Sequence, residues 1–268
     1  MRRRQFIKTS ATASLLPLAG TAAFSQAQNP VNPKIQEIRS RIKPITTDER
    51  MRRIERAQEL MSAQKIDAIF MEGGTTLNYF TGINWGRSER LFAMILPRKG
   101  DAQFIAPKFE ESRAQEQVGN AKLFTWEEHE SPYSLLKQIL KNQSIMSGAM
   151  GIEETTRQFV VDGIARSNPT LRLTSGTPVT AGCRSVKSAH ELELMQIAND
   201  ITREVFQSSL PSLKEGMTQD ELAAIVSSRF SEFGVEGGAL TLIGKGSAYP
   251  HGIHERSEEH TSELQSPY

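Results

Sequence analysis

The chain has 268 residues, of which 38% are hydrophobic and 24% charged, and a formal net charge of +1. That length and composition suit a soluble globular protein of one large domain or two ordinary ones. The near-balance of charge, with basic residues spread among acidic ones, argues against a strong electrostatic preference for nucleic acid, and the single cysteine, Cys183, excludes an intrachain disulfide.

Residues 1–27 read as an export signal. Arg2-Arg3-Arg4-Gln5-Phe6-Ile7-Lys8 gives a charged start, Ala11 to Phe24 a weakly apolar stretch, and Ser25-Gln26-Ala27 a small-x-small cleavage site. The Arg3-Arg4-x-Phe6-Ile7-Lys8 pattern resembles the twin-arginine type, so the expected location is periplasmic or extracellular, with no membrane association after cleavage. Residues 28–46 are polar and carry Pro30, Pro33 and Pro44, which predicts a linker or strap.

Ordered structure is predicted from Thr47. With Thr47 as N-cap and Asp48 and Glu49 in the first turn, Met51, Ile54, Ala57, Leu60 and Met61 share one face of a helix running to Gln64. Apolar runs at Ile66–Met71 and Leu91–Leu96 have strand length, and Arg98-Lys99-Gly100-Asp101 is a turn into a strand at Ala102–Ala106. Helical patterns at Glu110–Val118, Ser134–Lys141 and Gln158–Ala165 alternate with strand candidates at Lys122–Trp126, Ala149–Ile152 and Leu171–Thr174. Residues 47–183 are therefore an α/β domain.

A boundary falls near Cys183–Lys187. Ser188-Ala189-His190-Glu191 is a capping box opening a long helix through Leu192, Met195, Ile197, Ile201 and Val205, and Thr218-Gln219-Asp220-Glu221 opens a second through Leu222, Ile225 and Phe230. A strand is predicted at Ala239–Ile243, followed by a glycine-rich turn. Arg256–Ser266 reads RSEEHTSELQS, the translation of a widely used short-read sequencing adapter, so residues 256–268 are read as an adapter-derived segment outside the fold. His254, Glu255, Glu258, Glu259, His260 and Glu263 look like metal ligands, but four of the six lie in that segment and no His-Glu-x-x-His helix is present.

Three segments carry a family resemblance. They are Leu77-Asn78-Tyr79-Phe80-Thr81-Gly82 with Glu89-Arg90 beyond it, Arg184-Ser185-Val186-Lys187-Ser188-Ala189-His190-Glu191-Leu192, and Gly244-Lys245-Gly246-Ser247-Ala248-Tyr249-Pro250-His251-Gly252. In this order they resemble the pita-bread metallopeptidases: Xaa-Pro aminopeptidases, prolidases and creatinase. The resemblance implies an α/β creatinase/prolidase-like N-terminal domain followed, in residues 184–255, by the first part of an α+β pita-bread catalytic domain.

The resemblance also implies a chemistry. Two divalent ions, manganese, cobalt or zinc, would be held by two aspartates, one histidine and two glutamates, and would activate water for hydrolysis of the bond preceding proline. His251 would donate a hydrogen bond to the substrate or tetrahedral intermediate. No Asp follows Asp220, so the chain is expected to lack those ligands and, as given, neither to bind the metals nor to hydrolyse peptides, whereas a full-length parent would do both.

The partners implied are a proline-containing peptide and a second subunit, as a homodimer or higher homo-oligomer. Creatinase-type amidinohydrolysis and non-catalytic peptide binding on the same fold are the alternatives. Trp85, Arg87 and Arg90 lie in a loop that some relatives extend to a neighbouring subunit's active site; packing on their own domain is the competing expectation. Arg184 and Lys187 are expected in surface or interdomain ion pairs, and Cys183 as a buried structural thiol.

Overall fold

A computed structural model describes residues 33–249. The export signal, His251 and the adapter-like tail lie outside those residues. Five-residue apolar strands and amphipathic helices alternate, as the sequence predicts, and assemble into a three-layer sandwich.

The six strands are β1 (Ala68–Glu72), β2 (Ala93–Pro97), β3 (Gln103–Pro107), β4 (Lys122–Trp126), β5 (Gly148–Ile152) and β6 (Leu171–Ser175). Their order in the sheet is β4-β3-β2-β1-β5-β6. β2 runs antiparallel to both neighbours, while β3 with β4 and β1 with β5 and β6 are parallel. Five of the six carboxyl ends therefore lie along one edge of the sheet.

Both faces of the central strands are covered, which is why those strands read as continuous apolar runs rather than alternating ones. One face packs Ile69, Met71, Met94, Leu96 and Phe104 against helices α2 (Thr47–Gln64), α3 (Thr75–Thr81), α4 (Glu111–Val118) and α7 (Thr177–Ser185). The other packs Phe70, Ile95, Ile105, Trp126 and Met150 against α5 (Pro132–Asn142) and α6 (Gln158–Ser167). Ile69 and Phe70 face opposite ways because successive side chains of a strand alternate.

A third, smaller core lies beyond the sheet. Ile35 and Ile38 of α1 (Pro33–Arg41) pack with Ile197, Ile201 and Val205 of α8 (Ala189–Ser209) and with Val226 of α9 (Gln219–Glu232). Both capping boxes predicted for α8 and α9 are formed, by Ser188 with Glu191 and Thr218 with Glu221.

Three expectations are corrected, and two helices that the sequence reading did not predict are present. Residues 28–46 do not form a plain linker, because they include α1, whose prolines do not prevent a helix: Pro33 occupies its first turn, where no N–H is needed, and Ile35 and Ile38 supply an apolar stripe. The N-cap of α2 is Thr46, not Thr47; its hydroxyl accepts from Glu49 N at 3.2 Å and its N–H donates to Glu49 at 2.8 Å. Leu77–Gly82 contains a helix, α3, and α7 precedes the predicted boundary. Ala239–Ile243 is irregular, because no strand lies beside it among the described residues to accept its ladder bonds. Among the described residues no helix is long and apolar enough to cross a membrane.

Candidate functional site

The two family motifs within the described residues meet at one joint between the sheet domain and α8. Gly82 ends α3 at φ +80°, a left-handed cap that glycine adopts without Cβ strain, and donates its N–H to Asn78 O at 2.7 Å. This short helix buries Leu77 and Phe80 in the core and turns Tyr79 toward α7, where its hydroxyl donates to the Cys183 carbonyl at 3.0 Å. Burial pushes the Tyr79 hydroxyl pKa up, and the nearby Glu191 carboxylate adds to the effect.

Arg53 of α2 closes the joint. Its guanidinium lies 4.0 Å over the Tyr79 ring, donates through Nη1 to the Tyr79 carbonyl at 2.6 Å, and through Nη2 to Glu191 at 2.8 Å. Both charged side chains are more than four-fifths buried, so water screens the pair less than it would at the surface. A few residues away, His190 Nδ1 pairs with Glu49 at 2.7 Å, and its Nε2 faces the Lys43 carbonyl at 3.2 Å. The hydrogen bond to Glu49 raises the His190 pKa. The Glu49 carboxyl is held down at about 2, first by the Thr46 N–H and then by His190.

Arg184 binds Glu154 on the loop after β5, and Thr180 donates to that same carboxylate. Lys187 folds back onto the Arg184 carbonyl. Arg184 therefore forms an ion pair within the sheet domain, tying the end of α7 to the loop after β5, whereas Lys187 caps backbone. Cys183 is buried, and burial pushes its thiol pKa up, as suits a structural cysteine.

A second polar layer occupies the carboxyl ends of β1 and β5. The Glu72 side chain, 2% exposed, accepts from Arg157 Nη2 at 2.7 Å and from Arg157 N at 3.0 Å. Glu153 accepts from the Thr76 hydroxyl at 2.8 Å and from the Thr155 N–H and hydroxyl at 2.9 and 2.7 Å. Ligands of open α/β sheets often bind at this edge, but here the carboxylates are consumed by partners. The arrangement positions loops and offers no unpaired base.

The Ile83–Arg90 loop is fixed on the same edge. Trp85 is buried and stacks on Phe92 at 4.1 Å, with Arg113 4.1 Å over its other side. Arg87 donates to the Gly73 carbonyl at 2.8 Å and to Thr155. Arg90 pairs with Glu128 at 2.8 Å and with Glu89, and lies 5.2 Å over the exposed Phe109 ring. All three residues pack on their own domain.

Gly244–Ala248, the start of the segment leading to His251, is a short 3-10 helix in which Ser247 donates to the Gly244 carbonyl at 2.7 Å. Among the described residues no three His, Cys, Asp or Glu side chains converge to hold a metal ion. Residues 33–249 therefore do not by themselves supply a seat for the metal pair the resemblance implies. Glu49 belongs to the Thr46-x-x-Glu49 capping box, whereas Arg53, Glu72 and Glu153 carry no sequence motif. The only hint is an acidic residue closing an apolar run, as in Met71-Glu72 and Ile152-Glu153.

A mixed six-stranded sheet sandwiched by helices is the architecture of the amino-terminal domain of the prolidase and creatinase class. The family model described as Creatinase/Prolidase N-terminal domain matches residues 53–186, and the chain belongs to that family. An uncharacterized peptidase of Schizosaccharomyces pombe is 34% identical over 214 residues, covering 74% of this chain and 46% of that protein. A dipeptidase structure from Pyrococcus horikoshii is 28% identical with a TM-score of 0.59, covering 67% of this chain and 49% of its own. A prolidase structure from Thermococcus sibiricus is 25% identical with a TM-score of 0.61, covering 70% of this chain and 50% of its own. The chain spans about half the length of the relatives it matches.

Proposed function

We propose that this chain serves an exported, metal-dependent peptidase that cleaves the bond preceding proline, as an aminopeptidase P or a prolidase. In this reading residues 47–183 are the supporting domain, and α8, α9 and the segment ending at His251 open the catalytic domain. The observation that carries it is the joint: the two motifs that resemble this family come together through Tyr79, Arg53 and Glu191, in a chain whose relatives are named peptidase, dipeptidase and prolidase.

His251 would donate a hydrogen bond to the substrate carbonyl or to the oxyanion formed from it. The metal ligands would come from outside residues 33–249, and the chain as given is read as inactive. A proline-containing peptide is the substrate, and a homo-oligomer the working form.

The test is to resequence the locus beyond the codon for Glu255 with independent primers, then express and assay the encoded protein. Manganese-dependent release of proline from Ala-Pro, with Ala-Ala spared, supports the reading. An open reading frame with no further His, Asp and Glu ligands, or hydrolysis of creatine in place of Ala-Pro, overturns it.

A further inference from the structure

Residues 42–46 form a strap between α1, which packs on α8, and α2, which packs on the sheet, so the chain crosses the joint here as well as at the passage from α7 to α8. The strap's backbone is sparsely held. Ile42 N donates to the Arg39 carbonyl at 3.2 Å and Thr46 N to Glu49 at 2.8 Å, and Pro44 has no N–H to give. Between those ends, the hydrogen bond made to the strap among the described residues comes from α8: His190 Nε2 meets the Lys43 carbonyl at 3.2 Å.

The partners of His190 fix its charge. Nδ1 lies 2.7 Å from Glu49 Oε1 and Nε2 faces the Lys43 carbonyl oxygen; an ionised carboxylate and a carbonyl can only accept. Glu49 is ionised at neutral pH, since its Oε2 takes the Thr46 N–H and hydroxyl at 2.8 and 2.9 Å and its pKa is about 2. A neutral imidazole has one N–H and one lone pair, so it satisfies one contact and sets lone pair against lone pair at the other. Only the imidazolium fits both. The groups that face the ring agree: Glu49 from α2 and Glu193 from α8 are acidic, and the strap presents the Lys43 carbonyl. Arg53 and Glu191 beside it are paired with each other.

We propose that His190 is a proton-operated latch on the joint: as the imidazolium it ties the strap and α2 to the start of α8, and loss of one proton releases the strap. The bond to Glu49 is short and charge-assisted, so Nδ1 keeps its proton and Nε2 gives its proton to solvent. The Nε2 lone pair then faces the Lys43 carbonyl, and the strap parts from α8. α1 stays on α8 through Ile35, Ile38 and the ion pairs of Lys34 with Glu204 and Arg41 with Asp200, and α8 stays on α2 through Arg53 and Glu191. What changes is slack in the strap. The His190 pKa is raised, so the latch is closed below 6.5 and opens as pH rises through the elevated value. The inference does not rest on the peptidase reading, because its readout is exchange and not hydrolysis.

The test is hydrogen exchange of the whole chain, followed by mass spectrometry at a series of pH values from about 5.5 to 9 and corrected for the intrinsic rate at each. Protection in peptides covering residues 36–46 falls about tenfold across the series, while peptides covering β1 keep theirs. His190→Gln, with one donor and one acceptor at every pH, shows the lower protection throughout. Glu49→Gln opens at lower pH, because the anion that favours the imidazolium is gone. A wild-type chain with no fall, a fall shared equally by β1, or the same fall in His190→Gln overturns the proposal. So does a Glu49→Gln variant that opens at the wild-type pH, a result that stands even if His190→Gln fails to fold.

Discussion

Replacing Arg157 by alanine tests whether the polar layer above β1 and β5 holds the sheet domain together. Glu72 is 2% exposed at its side chain and Arg157 29%, so the substitution leaves a carboxylate in the interior with one strong partner gone. Breaking a buried pair costs about 3–5 kcal/mol. Two features set this case toward the lower end: the Arg157 N–H still donates to Glu72 in the variant, and water reaches the space the guanidinium leaves. Loss of the guanidinium from above the Phe159 ring, 4.7 Å away, restores about 0.5–1 kcal/mol of cost. The expected loss is about 3 kcal/mol. Urea unfolding followed by tryptophan fluorescence reads it directly, because both tryptophans, Trp85 and Trp126, are buried in the sheet domain. With a denaturant slope of about 1–3 kcal/mol per molar, the midpoint falls by about 1–3 M. Glu72→Gln combined with Arg157→Ala should lose less than Arg157→Ala alone, since no charge is stranded. A loss below about 1 kcal/mol for Arg157→Ala, or a double variant equal to the sum of the single ones, refutes the reasoning.

Gly73→Ala should destabilise the sheet domain by about 1–3 kcal/mol in the same assay, because a Cβ there would meet the Trp85 carbonyl oxygen at 2.6 Å, a backbone atom that cannot swing aside; unchanged stability would show that the Ile83–Arg90 loop is not seated as described. The His190–Glu49 contact is pH dependent. The His190 pKa is raised, so its contribution is complete below its ordinary 6.5 and is lost as pH rises through the elevated value; Glu49 sits at about 2, so its contribution is complete above 4.5 and is lost as pH falls through about 2. Proton NMR titration should place His190 above 6.5 in the wild type and return it toward 6.5 in Glu49→Gln, and an identical titration in both would sink the assignment. Brief chymotrypsin digestion should cut first after Leu240, exposed and outside any helix or strand, while residues 47–183 persist because their exposed rings, Phe109 and Phe159, are held in helical turns, as mass spectrometry of the fragments would show; equal resistance of both halves contradicts this.

Apolar periodicity made the α/β layer legible because a strand buried on both faces needs an uninterrupted apolar run. Lys122–Trp126 coincides with β4, and Gln158 starts α6 as read. The capping boxes at Ser188 and Thr218 were equally plain, since the residues that satisfy the first N–H groups sit three positions apart in the chain. Three elements escaped for local reasons. The prolines around α1 masked its short Ile35–Ile38 stripe, α3 is only seven residues long, and the β-type sequence of Ala239–Ile243 has no ladder partner among the described residues. Of the candidate site, the motif residues could be named but their meeting could not. Tyr79 lies 104 positions from Cys183, and Arg53 lies 138 from Glu191, separations for which one sequence holds no signal.

The chemistry of the joint suggests why it is polar. A purely apolar contact between the sheet domain and α8 would be strong but indifferent to small slips, because hydrophobic burial is non-directional. Arg53 removes that freedom, since a planar guanidinium engaging the Tyr79 carbonyl, the Tyr79 ring and Glu191 at once tolerates little rotation. The Tyr79 bond to the Cys183 carbonyl and the Arg184 bond to Glu154 fix the end of α7 in the same way, on either side of the chain's passage into α8. Two anchors before the passage and two after it, Glu191 to Arg53 and His190 to Glu49, define an orientation rather than a mere attachment. A domain that contributes no catalytic group from its described residues can still serve a catalytic partner by holding the first helix of that partner at a set angle. The polar joint is the part of this chain whose geometry such a role requires.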